Sequence, residues 1–204
     1  MTSLRQRQAS ATRLAILRAA QERFERDGYE PVRIEDIAAA ADVAIPTVYK
    51  VFGNKRKLLA AVVRAAMSED VDAPVAEQAW WREQITEPSA ARQLELIARN
   101  ARQIYDRAGP LLELLRRVAR ADPEVEALAR ELDHERYRRS LLSARALVEK
   151  ATLRPGTGLD EAARTLWTLT VPELYVLQLR QLGATADAYE QWLASLLQRA
   201  LLPG

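Results

Sequence analysis

The sequence predicts an all-α protein in which a short three-helix unit is followed by a larger helical body. Three observations predict it. Apolar residues recur at helical spacing through nearly the whole chain, and no run alternates with period two, so no sheet is expected. The seven Gly and nine Pro fall at punctuation points between helix-length segments. With 49% apolar residues over 204 positions, the chain can bury a substantial core without metal or disulfide support.

The elements run in this order. Residues 9–27 put Leu14, Ile16, Leu17, Ala20 and Phe24 on one broad stripe, and Gly28 stops the helix. A second, short helix over 33–41 turns Ile34, Ile37, Ala38 and Ala41 inward and breaks at Asp42-Val43. A third spans 45–52 and ends at Gly53-Asn54. A fourth spans 55–72, apolar at Leu58, Leu59, Val62, Val63 and Ala66, and stops near Pro74. Between Pro74 and Pro88, around Trp80-Trp81, the pattern predicts mixed loop and helix. Helices resume over 89–107, 110–121 and 123–152, divided by Gly109-Pro110 and Asp122-Pro123. The second pair reads as an N-cap with Pro at the first helical position. A loop at 154–158 precedes two final helices, 159–182 and 185–202, split by Gly183; Pro172 is expected to kink the first of them. The expected domains are 1–56 and 57–204.

Composition excludes several classes. Without cysteine there is no disulfide scaffold, thiolate metal site or cysteine nucleophile, and the chain suits a reducing cytoplasm. No stretch of 18 apolar residues predicts a membrane span. The first 25 residues, with five arginines and no apolar run, do not read as a secretory signal. The first 70 residues carry 12 basic and 9 acidic side chains and the remainder 18 and 19, so a mild positive excess sits at the front. That points to an anionic partner for the N-terminal part alone.

Residues 12–64 carry the functional signal. Two short helices joined by a very short turn have the geometry of a helix-turn-helix, whose second member can enter the major groove. Thr47 offers a hydroxyl and a methyl at the front of that helix, and Ile45 and Pro46 offer apolar surface for thymine methyls. Tyr49 and Lys50, one turn on, can reach phosphate oxygens. Lys55, Arg56 and Lys57 open the fourth helix, where N–H groups and the dipole favour phosphate; Arg33 stands in the same relation to the second helix. Taken singly, a basic triplet is usually a solvated face and a tyrosine is as often core; together, on this helix pattern, they favour double-stranded DNA.

Over residues 13–64 the chain resembles the DNA-binding domain of the tetracycline-repressor (TetR) family. Ile16-Leu17, Ala19-Ala20, Phe24 and Gly28 match its first helix. Ile37-Ala38, the turn Ala41-Asp42-Val43-Ala44, Thr47-Val48-Tyr49 with Phe52, and Lys55 with Leu58 match its second, third and fourth. Four positions depart. Asp42 replaces the turn Gly, though Asp tolerates a left-handed backbone better than most. Ala44 replaces a Ser cap worth roughly 1 kcal/mol. Pro46 stands where Gly is common, acceptable in a first helical turn. Arg33 replaces a frequent Thr.

The resemblance implies an all-helical C-terminal domain that encloses a small hydrophobic or amphipathic effector and dimerises through its last two helices. It implies a palindromic operator released when the effector binds. The segment Leu166 to Tyr175 looks like a penultimate helix of the family, and Tyr189, Trp192, Leu193, Leu196, Leu197 and Leu201 supply an apolar final one. Pocket candidates are Tyr105, Leu112, Leu115, His134, Tyr137, Leu141, Trp167 and Val171, against the competing reading that aromatics at helical spacing simply pack. His134, alone among Asp133, Glu135 and Arg136, reads as solvated and makes a zinc site improbable. No Gly-rich phosphate loop, Gly-x-Ser-x-Gly or His-Glu-x-x-His is present; Ser140 and Ser143 near His134 form no triad, so neither catalysis nor a cofactor is expected. The alternative is a ligand-independent nucleoid-organising or partner-binding DNA protein of the same fold, distinguished by a filled C-terminal core.

Overall fold

The computed structural model describes residues 4–68 and 77–203, and every regular element among them is helical. In order these are α1 (Leu4–Asp27), α2 (Ile34–Ala40), α3 (Ile45–Phe52), α4 (Lys55–Met67), α5 (Ala79–Thr86), α6 (Ala90–Ala119), α7 (Pro123–Val148), α8 (Leu159–Leu169), α9 (Pro172–Val176) and α10 (Ala186–Leu201), with a π-helical turn over Leu177–Gln181. The chain packs as two compact units. The first comprises Met1–Pro74 and Pro110–Arg130, the second Val75–Gly109 and Glu131–Gly204.

In the first unit α1 packs on α2 and α4, and α3 on both α2 and α4. Ile16, Ala20, Ile37, Leu58, Leu59 and Val63 are fully buried there, with Phe24 against Tyr29 at 5.6 Å between ring centres. The turn between α2 and α3 closes on a Schellman motif. The Val43 N–H donates to the Ala38 carbonyl at 3.0 Å and the Asp42 N–H to Ala39 at 3.3 Å. Asp42 adopts φ +52°, the left-handed conformation this motif demands, in keeping with its tolerance of that region. Asp42→Gly should therefore leave stability within a few tenths of a kcal/mol, whereas Asp42→Val should cost about 1–2 kcal/mol. Urea denaturation of both variants checks this; equal costs would refute the backbone argument.

Helix α4 ends at Met67, because Ser68 is already extended (φ −106°, ψ 148°), earlier than the expected residue 72. Residues 69–72 and Pro74, the expected stop, lie outside the described residues. Asn54 caps α4 by accepting the Lys57 N–H at 2.9 Å. Asp122 caps α7 by accepting the Glu124 N–H at 3.0 Å, with Pro123 at the first helical position as expected.

Two prolines behave differently from expectation. Gly109-Pro110 does not divide a helix; α6 runs unbroken with Pro110 inside it. Ala101, Tyr105 and Ala108 before the proline and Leu111, Leu112, Leu115 and Val118 after it are all buried, one continuous apolar stripe. Burying that stripe outweighs the roughly 3 kcal/mol that an interior proline costs. Pro172, expected to kink a single helix, ends one. Val171 is extended (φ −72°, ψ 138°) and Pro172 opens α9 afresh.

In the second unit α8 packs on α10, around buried Ala162, Ala163, Leu166, Leu193, Leu197 and Tyr189. The Arg102 guanidinium ties α6 to α10 by reaching Glu190 at 3.1 Å and Asp187 at 3.3 Å. A buried polar chain crosses α5, α6 and α7: Asn100 donates to Gln84 at 3.0 Å and Gln84 to Ser143 at 2.8 Å. No described helix is long and apolar enough to cross a membrane.

Candidate nucleic-acid interface and pocket residues

Helix α3 divides cleanly between two faces. Val48 and Phe52, four apart, are buried against the other helices of the first unit, and the Arg13 guanidinium stacks on the Phe52 ring at 5.1 Å. That anchoring turns the opposite face outward. Ile45 is 40% and Tyr49 47% exposed, Pro46 and Lys50 are also exposed, and Thr47 is half-buried at their side. Ala44 makes no side-chain cap; the turn is held instead by the Thr47 N–H on the Ala44 carbonyl at 2.9 Å.

Arg33 is exposed at the start of α2. Its backbone N–H donates to Asp36 at 3.0 Å, but a guanidinium has no acceptor with which to cap the helix in return. The side chain therefore extends from a helix N-terminus, as a phosphate-reaching donor should.

The basic triplet at the start of α4 splits into three roles. Lys57 is exposed. Arg56 pairs with Asp122 at 2.6 Å and Glu124 at 3.5 Å and so fastens α4 to the start of α7 within the first unit. Its guanidinium, hydrogen-bonded to Asp122, holds that carboxyl below the usual carboxylate range. Lys55 lies over the Tyr29 ring at 4.2 Å and donates to the Glu30 carbonyl at 3.1 Å. Burial pushes the Tyr29 hydroxyl up to about 12, so the ring beneath the ammonium stays neutral. Burial also lowers the Lys55 pKa, opposed by Glu30. Lys55 thus fixes the junction of α4 with the α1–α2 loop, a role its sequence position does not reveal.

The pocket candidates do not form one group. Leu112 and Leu115 are buried in the first unit. Tyr105 is buried in the second; Tyr137, Leu141, Trp167 and Val171 are half-buried there, and His134 is exposed. Tyr137 meets Trp167 edge-on at 6.2 Å between ring centres. The Tyr105 hydroxyl donates to the Thr170 carbonyl, beside Val171. Arg136, a residue the sequence does not single out, lies over the Trp167 ring at 4.7 Å and donates to the Trp167 carbonyl. These two side chains serve the carbonyls that the end of α8 leaves without helical partners. The available signal is spacing: Leu132, Arg136, Arg139, Ser143 and Leu147 share one stripe of α7 whose ends are buried.

A helical unit that presents one face of a short helix beyond a tight turn, with cations beside it, has the arrangement of a helix-turn-helix DNA-binding unit. Residues 16–62 match the family model of bacterial regulatory proteins, tetR family. Solved structures share the fold over nearly the full length. NalD, the secondary repressor of the MexAB-OprM multidrug efflux pump in Pseudomonas aeruginosa, is 22% identical with a TM-score of 0.68, covering 96% of this chain and 97% of its own. A transcriptional regulator from Saccharomonospora viridis in complex with choline is 19% identical with a TM-score of 0.70, covering 96% and 100%. The SmeT–triclosan complex is 19% identical with a TM-score of 0.72, covering 95% and 92%. No curated protein matches by sequence. Residues 16–62 are thus similar to the DNA-binding domain of the tetR family, and the chain as a whole shares the fold of these solved regulators.

Proposed function

We propose that this protein is a repressor that holds a palindromic operator as a homodimer and releases it when a small molecule occupies its C-terminal part. The observation that carries the reading is α3, with Val48 and Phe52 locked inward and Ile45, Pro46, Tyr49 and Lys50 outward. Thr47, Ile45 and Pro46 face bases; Arg33, Tyr49, Lys50 and Lys55 hold phosphates. In functional terms residues 1–56 read DNA, and residues 57–204 dimerise and sense. Exposed Leu177 and Leu182 beside the π turn, with half-buried Trp192 and Leu196 on α10, supply apolar surface for a twofold seam.

Release works through spacing. Half-sites one turn of DNA apart are separated by roughly 34–36 Å, so a shift of a few ångströms lifts one reader from its groove. Helix α4 is the lever, and the Arg56–Asp122 pair couples it to α7. The effector must bind the DNA-incompetent state more tightly; a coupling of about 1–3 kcal/mol gives 5–150-fold release. Selection of bound genomic fragments tests the first half and should yield one inverted repeat binding two chains. Uniform binding to all fragments, or one chain per site, would overturn it. Choline and triclosan, which two structural neighbours bind, are the starting probes for the second half. A compound that weakens operator binding must itself bind less tightly, by the same factor, when operator is present. Unequal factors would refute the linkage.

A further inference from the structure

The residues around Tyr105 in the second unit form a cluster in which buried hydrogen-bond donors outnumber acceptors. Arg136 and Arg139 stand on adjacent turns of α7. Tyr105 lies within electrostatic reach of both, and of Tyr189. The Tyr105 ring is 5.9 Å from Tyr175, and Tyr175 is 5.0 Å from Tyr189. Capping the Trp167 carbonyl occupies Nη1 of Arg136, one of five N–H donors on its fork. Arg136 Nε, Trp167 Nε1 and the Tyr189 hydroxyl are all buried without a hydrogen-bond partner. Asp133 forms an ion pair with Arg136 Nε at 3.7 Å, beyond hydrogen-bond distance, and is itself 48% exposed.

The electrostatics agree. Burial lowers the pKa of both arginines, opposed by Tyr105 and Asp133 at Arg136 and by Glu135 and Tyr105 at Arg139, where Arg136 itself repels. A guanidinium does not lose its proton in a protein, and the long ion pair with half-exposed Asp133 meets the Arg136 charge only in part, which leaves the pair of arginines suited to a further anion. A carboxylate suits a planar fork bidentately, and an aromatic body suits the Tyr137–Trp167 edge-on pair beside it.

We propose that Arg136 and Arg139 are the anion-recognising pair of the effector site, and that the effector is an aromatic carboxylic acid. The proposal rests on the sensor reading above and specifies its ligand class. The acid binds as its carboxylate, which takes the fork of Arg136 and the neighbouring Arg139, while its ring lies against Trp167 and Tyr137. Because Arg136 also caps the end of α8, an acid drawing on that side chain acts directly on the α8–α9 break.

The test is equilibrium dialysis of the full chain with 2-naphthoate and with its neutral amide, 2-naphthamide. The acid should bind at least tenfold more tightly. Arg139→Gln should erase the preference, Arg136→Gln should do the same, and Arg136→Lys should retain part of it. Thermal melts identify any variant that has lost its fold; Arg139 is free of the α8 cap and decides the matter if Arg136→Gln unfolds. Equal binding of acid and amide, no binding of the acid, or a preference that survives Arg139→Gln would each overturn the proposal. The two readings fail separately. If triclosan or choline releases the operator while naphthoate does not bind, the sensor stands and the acid class falls. If naphthoate binds through the arginines but operator affinity is unchanged, the anion site stands and the sensor falls.

Discussion

Replacing Phe24 by alanine should destabilise the first unit by about 3–5 kcal/mol. Its side chain is 1% exposed on the inner face of α1. It packs on Tyr29, whose ring in turn carries the Lys55 ammonium. The truncation removes apolar burial and leaves a cavity that a close-packed unit, whose core includes fully buried Ile37, Leu58 and Leu59, cannot easily fill. Against a typical total of about 5–15 kcal/mol, that loss brings the unit near its unfolding threshold. DNA binding should fall with it, because α3 owes its orientation to the same core. Urea denaturation should show a lower midpoint with an unchanged slope. Leu142→Ala is the control: that side chain is 50% exposed, and its loss should cost under about 0.5 kcal/mol. If the two substitutions cost the same, the first unit does not depend on a core centred on Phe24.

The range of each interaction decides whether it is legible in the sequence. The bounds of α3 are legible because local residues set them: Asp42 in the left-handed conformation before it, and Gly53 with φ +82° after it. The two prolines are not. Pro110 and Pro172 look alike in sequence, each inside an apolar helical pattern, yet one is absorbed and the other ends a helix. At the Pro172 break, acceptors at the end of α8 are served by Tyr105 and Arg136, 65 and 31 residues away in sequence. Local reading cannot see such partners. The same limit governs the site residues. Ile45, Pro46, Tyr49 and Lys50 can be placed outward because Val48 and Phe52 have to face inward. Arg136 is hidden because a charged residue in an Arg- and Glu-rich helix reads as solvent-facing until the helices packed on it are known. His134, two residues away, stands out for its chemistry and is exposed.

Lys55 is where fold and function compete for one side chain, and Lys55→Ala should move two observables together. The first is stability. An ammonium over an aromatic ring contributes about 0.5–2 kcal/mol and a charged hydrogen bond about 1.5–3 kcal/mol before solvent exchange at a half-exposed site. A net loss of about 1–2 kcal/mol is expected. The second is DNA affinity. An ammonium has three N–H donors, and the Glu30 carbonyl accepts from one of them. With Nζ fixed at the head of α4, the remaining donors can hold a phosphate at little further entropic cost. Removing that contact should weaken binding to all sequences alike and flatten the dependence of log affinity on log salt by about one unit. Two comparisons separate these effects. Lys50→Ala, on the exposed side of α3, should flatten the salt dependence without altering stability. Thr47→Ala should leave the salt slope alone and re-rank the preferred operators, since a lost base contact is worth about 1–3 kcal/mol of discrimination. If Lys55→Ala lowers stability and leaves the salt slope unchanged, its ammonium is a clamp between α4 and the α1–α2 loop and touches no phosphate. The phosphate contacts then belong to Arg33, Tyr49 and Lys50, whose side chains the fold leaves exposed.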